Sequence, residues 1–346
     1  GQAAAHLFPP PSAFRFWPWS QVEPLGDAEF YGKNPTYGDQ FSYSLTKDLT
    51  EPGQLTITDS QGHVVRTMKG MHELEPGETP PDDEDVPLAA TAPQVHERPT
   101  PAKKTEEEAA ELGQPKKIPW VPTKPGLQRI YWDLRADGPV RWESAKDFNK
   151  GPKSGALVVP GEYTATLTVG GQPIAQRIEV VNDPRSHGDV AGMEARYQLT
   201  QSVLHLMSQL DVALNRMDAI TAQIKALQLV AKDTPNEPAV KTASDTLTQQ
   251  MKAAQSLITS NPEAAESTLR APNKVREHLF ALDGILEGAD DAPTQAIVDQ
   301  KQVLDQEYQA AVQKFNQFLQ TDVAAFNNSM TQLKLTGVVQ TEALQP

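Results

Sequence analysis

From Tyr163 to Val180 apolar and polar residues alternate one for one. Tyr163, Ala165, Leu167 and Val169 share one parity, and Thr164, Thr166 and Thr168 the other. That alternation marks a strand with one face buried. Gly170-Gly171 interrupts it and can supply the positive φ angles of a tight hairpin, after which Ile174, Gln176, Ile178 and Val180 resume the pattern. Asn182-Asp183-Pro184-Arg185 ends it, because proline cannot donate to a ladder. Upstream, Phe41, Tyr43 and Leu45 alternate after the turn cluster Asn34-Pro35-Thr36-Tyr37-Gly38. Leu55–Asp59 and Val64–Met68 flank a hairpin loop at Ser60-Gln61-Gly62-His63. In Gly126–Arg135, Ile130, Trp132 and Leu134 form the expected core face, with Trp132 as an anchor between two sheets.

After Asp189 the spacing lengthens to threes and fours, as on one face of a helix. Leu199, Val203, Leu206, Leu210, Leu214, Met217, Ile224 and Leu227 make the first stripe. Asp233-Thr-Pro-Asn-Glu-Pro238 closes that helix, and Pro238 suits the start of a second carrying Val240, Leu247, Met251 and Ile258. Asn261-Pro262-Glu263 reads as an N-cap followed by an N1 proline. A third helix carries Val275, Leu279, Leu282 and Leu286. A fourth, introduced by Pro293, runs from Ile297 through Leu304, Tyr308, Val312, Phe315, Leu319, Val323 and Phe326 to Met330. Short proline-containing turns between such helices suit an antiparallel four-helix bundle over 189–335, with a tail at 336–346.

Two stretches fit neither period. Residues 1–29 interleave Phe8, Pro9-Pro10-Pro11, Phe14, Phe16, Trp17 and Trp19, an extended arm or linker that can be neither a helix nor a central strand. Phe14, Phe16, Trp17 and Trp19 are the candidate partner-binding residues: they either lie on the neighbouring domain or form a platform for a peptide or a sugar. Residues 76–117 are rich in proline and charge, with Asp82-Asp83-Glu84-Asp85 and Glu106-Glu107-Glu108. Such a composition buries too little apolar surface to offset its ordering entropy, so an acidic insertion within the β domain is expected. A short helix fits around 105–112. The acids lack the alternating spacing and the glycine of a calcium loop.

Composition narrows the function. A net charge of −14 over 346 residues argues against phosphate-backbone binding to nucleic acid and against docking on an anionic membrane. With no cysteine there is no disulfide, thiolate nucleophile or zinc–thiolate site. No apolar run approaches the roughly 20 residues of a membrane span. A chain that opens on Gly1 is expected to be a mature or excised piece of something longer.

Several stretches carry a resemblance: Asn34–Gly38 before a strand, Gly62–Thr67, Pro125–Arg135, Val159–Val169 and Asn182–Arg185, in that order, then the helices. The chain resembles the C-terminal region of bacterial exported proteins whose N-terminal part is a sortilin-like β-propeller of BNR (Asp-box) repeats, proteins often labelled glycosyl hydrolases. The resemblance covers most of residues 30–330. It implies a multidomain α+β chain: an Ig-like or FnIII-like antiparallel β-sandwich over 30–185, similar to the Ig-like domain of flagellar hook-capping proteins, then the helical bundle. It also implies a secreted, periplasmic or cell-envelope location. The quoted motifs are structural, and no Ser-x-Asp-x-Gly-x-Thr-Trp box occurs, so the hydrolase label does not carry over to this chain.

Nor do the residues assemble a reaction. The chain has no His-Glu-x-x-His run, no Gly-x-Ser-x-Gly elbow and no phosphate-cradling glycine loop. His6, His63, His72, His96, His187, His205 and His278 lack ligand spacing. The parity of Asp133 turns it away from the core face, as a strand-end hydrogen-bonding residue. The expectation is therefore a non-catalytic accessory or assembly module with no catalytic residue, cofactor or metal. Its partner would be its own propeller, another envelope protein or a second copy of itself. The alternative is part of a glycan-binding or glycan-hydrolysing protein, with the aromatic arm completing a carbohydrate site.

Overall fold

The computed structural model describes residues 5–16, 37–73, 117–145, 150–186, 188–260, 272–338 and 344. Trp17, Trp19, the Asn34-Pro35-Thr36 turn, the acidic insertion with its expected short helix, and the Asn261-Pro262-Glu263 cap lie outside the described residues. The fold is α+β and divides into two compact units, one of Gly1–Arg135 with Val159–Ser186, the other of Ala136–Val158 with His187–Pro346.

Among the described residues the first unit holds ten strands: β1 (Ala5–Leu7), β2 (Ala13–Arg15), β3 (Asp39–Leu45), β4 (Gln54–Asp59), β5 (Val64–Lys69), β6 (Met71–Glu73), β7 (Lys117–Pro119), β8 (Gly126–Trp132), β9 (Gly161–Val169) and β10 (Gln172–Asn182). They form sheets ordered β1-β3-β8, β2-β10-β9-β4-β5 and β6-β7. Thus β3 pairs with β8, and β4 with β9, across the acidic segment. The alternating apolar residues face inward as their parity requires: Phe41 and Tyr43, Leu55 and Ile57, and Ala165 and Leu167 are all fully buried. Trp132 on the three-stranded sheet meets Tyr163 on the five-stranded sheet edge-on, with ring centroids 5.7 Å apart. Gly170 and Gly171 have φ values of 56° and 74° and turn β9 into β10, as a primed hairpin turn requires.

Two details differ from the sequence reading. Residues 5–16 are not an arm outside the β unit: they give one three-residue strand to each of the two larger sheets. Both are edge strands, with Leu7, Ala13 and Arg15 turned inward and Pro9-Pro10-Pro11 in the crossover between them, where no ladder hydrogen bond is needed. Leu134 is buried as expected but not as a strand residue. The strand ends at Trp132, Leu134 takes a φ of 56°, and the Asp133 carboxylate accepts the Arg135 N–H at 3.1 Å to close the turn.

Gly38 sets the entry to β3. Its φ is +118°, and a Cβ there would lie 2.0 Å from the Trp132 carbonyl oxygen, a backbone atom with no freedom to yield. Gly38→Ala is expected to destabilise the β unit by about 2 kcal/mol, the combined effect of strain and a displaced β3–β8 ladder. Urea unfolding followed by tryptophan fluorescence measures it.

The second unit is helical: α1 (Val190–Ala231), α2 (Glu237–Ile258), α3 (Val275–Glu287), α4 (Gln295–Gln317) and α5 (Ala324–Gln332). Asp189 caps α1 by accepting the Gly192 N–H at 2.7 Å. The expected fourth helix is continuous in path but contains a π turn at Phe318–Val323 between α4 and α5. The extra residue in that turn lets Phe315, Phe318 and Leu319 all reach the core. The 42-residue α1 packs on α2 and α3, and α4 packs on both. Their stripes merge into one core that also takes in Trp142 and Ala145 from the 136–158 segment and Val338 and Leu344 from the tail.

Candidate functional site

The alternation of β2 decides what the N-terminal aromatics do. Ala13 and Arg15 point inward, so Phe14 points out and is 56% exposed. It lies opposite Val181 of β10 on the outer face of the five-stranded sheet. Phe16 is half-buried with its ring edge-on to Tyr37 at 4.9 Å, a packing role. The structure therefore separates these two candidates, while Trp17 and Trp19 lie outside the described residues.

On the same outer face, beyond β10, the strands β9, β4 and β5 are rich in threonine. Thr56 is registered with Thr166 on one side and Thr67 on the other, and Thr58 with Thr164. Among the described residues the edges of the two larger sheets are β1, β8, β2 and β5, and each carries a large exposed apolar side chain in the strand or next to it: Phe8, Leu127, Phe14 and Val64. Soluble proteins ordinarily protect such edges with charge, proline or a covering segment.

The acids divide into those that hold turns and those that are buried. Asp59 accepts the main-chain N–H groups of Gln61 and His63 and pairs with the His63 ring at 3.1 Å, which makes His63 a turn residue at a hairpin tip. Asp39 is 1% exposed, and burial pushes its carboxyl up to about 7. The Gln40 main chain is the one neighbour that lowers it, and among the described residues no hydrogen bond of normal geometry reaches either oxygen. Asp39 and Asp133 lie on opposite parities of a paired strand end, and no third acid or histidine joins them in a group able to hold a metal among the described residues.

In the helical unit the polar residues form a structure that the apolar stripe does not reveal. Ser208, Asp211, Asn215 and Asp218 recur on α1 at helical spacing and hold the segment 140–143 by its main chain. Ser208 accepts the Val140 N–H at 3.0 Å, Asp211 the Trp142 N–H at 2.9 Å, and Asn215 the Glu143 N–H at 3.0 Å. Asn215 also donates to the Arg141 carbonyl at 2.9 Å, and Asp218 accepts the Trp142 indole N–H at 2.6 Å. Arg276 of α3 completes the group with two hydrogen bonds to Asp211, at 2.5 and 3.2 Å, and its guanidinium lies 5.7 Å from the centre of the Trp142 ring. Elsewhere Glu277 accepts from the Thr259 hydroxyl and the Ser260 and Lys274 N–H groups, and Arg196 donates to the Leu286 and Asp291 carbonyls. Each of these buried charges joins one element of the unit to another. The sequence signal was present: short polar residues at 208, 211, 215 and 218, where an open helix face favours long ones. No family model matches the chain, and neither a curated protein nor a solved structure matches it.

Proposed function

We propose that the chain is a non-catalytic association module: an Ig-like β-sandwich followed by an antiparallel helical bundle, from an exported bacterial propeller protein and working in the periplasm, the cell envelope or outside the cell. The observation that carries this reading is the set of exposed apolar residues at the outer edges that the two larger sheets show among the described residues, Phe8, Phe14, Val64 and Leu127. A protein partner that covers such an edge gains apolar burial there and main-chain hydrogen bonds along the strand. The partner is the upstream propeller, a second envelope protein or another copy of the chain. The two-sheet arrangement with Trp132 against Tyr163 supports the sandwich, and helices joined through Arg196 and Glu277 support the bundle.

Size-exclusion chromatography with light scattering tests this on the chain alone and with its upstream domain. A complex burying on the order of 1,200–2,000 Å² is expected. Phe14→Lys with Val64→Lys should weaken it at least about tenfold, the loss of two buried apolar contacts. A chain that stays monomeric, binds no envelope protein and cleaves a glycan or peptide in a purified assay would overturn the reading. A second reading, glycan binding, draws support from the exposed Phe14 ring on the sheet face that also carries the threonines of β9 and β4. Glycan binding lost in Phe14→Ala, with association intact, would select it.

A further inference from the structure

We propose that two copies of the chain associate through the glutamine face of α4, helix against helix and antiparallel, around a twofold axis level with Ala311. The inward side of α4 is apolar, with Leu304, Tyr308, Ala311 and Phe315 buried in the core. Its outward side is made of amides. Gln302, Gln306, Gln309, Gln313 and Gln317, then Gln320 in the π turn, recur at threes and fours, and all six are exposed. At about 3.6 residues per turn that spacing keeps them on one face. The last five line an open groove of about 740 Å³, whose lining among the described residues includes no charged side chain. Gln317 accepts from the Lys314 ammonium at 3.4 Å, and the other amides meet no partner among the described residues. Asn316, at the border of the face, is engaged with the Leu344 main chain.

Charge decides what can meet this face. At −14 overall, two copies of the chain repel each other in general, and the contact that escapes this must be free of acids. Residues 308–321 contain none, and their one charge is Lys314. Of the acids just before them, Asp305 is paired with Lys301 at 2.5 Å and Glu307 turns to His278 of α3 at 3.3 Å. A glutamine carries donors and an acceptor together, so it can pair with another glutamine, as two like charges cannot. A twofold contact demands such self-complementarity, because where residue i meets j, j also meets i. About an axis level with Ala311, Gln309 lies across from Gln313 of the second copy, Gln306 from its Gln317 and Gln302 from its Gln320. Val303, 55% exposed, and the small exposed Ala310 flank the amides and supply apolar burial and close approach. The groove offers no aromatic ring for a sugar to stack on and no cation for a phosphate. One helix pair about 27 Å long lies at the small end of specific interfaces, so the dimer should be weak, with a Kd on the order of 10–100 μM. This inference does not rest on the sheet-edge reading, since α4 belongs to the helical unit and the edges to the β unit.

Sedimentation equilibrium of the full chain between about 1 μM and about 500 μM should show a monomer passing into a dimer. Gln309→Glu with Gln313→Glu sets like charges across the axis and should weaken that dimer at least about tenfold, with the helical circular dichroism unchanged. Gln309→Glu with Gln313→Lys sets opposite charges across an antiparallel pair and like charges across a parallel one, so it should dimerise at least as well as the parent. Because the chain has no cysteine, single replacements report the geometry directly. A mixture of Gln309→Cys and Gln313→Cys chains should form a mixed disulfide under mild oxidation. Gln302→Cys, about 27 Å from its own copy in the antiparallel pair, should not link to itself. A chain that stays monomeric throughout the range, or a dimer indifferent to the two glutamates, would overturn the proposal. So would a Gln302→Cys chain that links to itself as fast as the mixture does. A dimer lost in Phe14→Lys with Val64→Lys but kept in the two-glutamate variant would assign self-association to the sheet edges, and α4 would not be the contact.

Discussion

Asp211→Ala should destabilise the helical unit by about 3–5 kcal/mol, the cost of leaving a buried charge without its partner. Asp211 and Arg276 are both 3% exposed at their side chains, so water cannot replace the lost carboxylate. The substitution also strands the Trp142 main-chain N–H, which Asp211 accepts at 2.9 Å. With a domain's whole stability near 5–15 kcal/mol, the helical transition should move far down in urea. The control is the double replacement Asp211→Leu with Arg276→Met, which removes both charges together and should recover the part of the loss due to the unpaired charge, leaving only the cost of the stranded Trp142 N–H. Helical circular dichroism in urea measures all three chains. If the single variant were as stable as the parent, the pair would be solvated in solution, and the clamp on residues 140–143 would not hold.

That cluster shows where sequence reasoning stops. The first stripe from Leu199 to Leu227 is legible because burial on a helix has a period, and Val203, Leu210, Leu214 and Met217 are buried as it requires. The strands at 41–45, 55–59 and 161–169 are legible for the same reason with a shorter period. Trp142 has no period to announce it. It lies in a segment without regular structure, and its partners on α1 and α3 are brought to it only by the tertiary fold. The strands at 5–7 and 13–15 are three residues each, too short for alternation to be told from chance. For the candidate site, the aromatic signal found Phe14 but could not separate it from Phe16, because the end of β2 decides which ring faces outward. Asn316 and Asn327 look like ordinary helix-surface residues until the tail is seen against them.

As the pH falls from about 8 to about 5, Asp39 should add stability to the β unit, the reverse of ordinary acid destabilisation, and the burial that raises Asp133 acts in the same direction. The alternation that places Phe41, Tyr43 and Leu45 in the core continues back one step to Asp39, paired with Trp132. Burial raises its carboxyl from 3.8 to about 7. Below the lower value the group is protonated whether the chain is folded or not, and its contribution is fully present. Between the two values the folded chain holds a proton that the unfolded chain has released, so stability is lost progressively as the pH rises. Above the upper value the folded chain must bury a carboxylate, and the contribution is gone. At 1.36 kcal/mol per pKa unit the full swing has a ceiling of about 4 kcal/mol. Asp39→Asn keeps the shape and removes the titration, so the difference between the two pH profiles isolates this residue from every other acid. The asparagine chain should show a nearly flat difference below about pH 4 and a growing relative advantage up to about pH 8. Urea unfolding across that range, read by tryptophan fluorescence, gives both curves. Parallel curves would mean that the Asp39 carboxyl finds solvent or a partner in the folded chain and that its burial does not govern its charge.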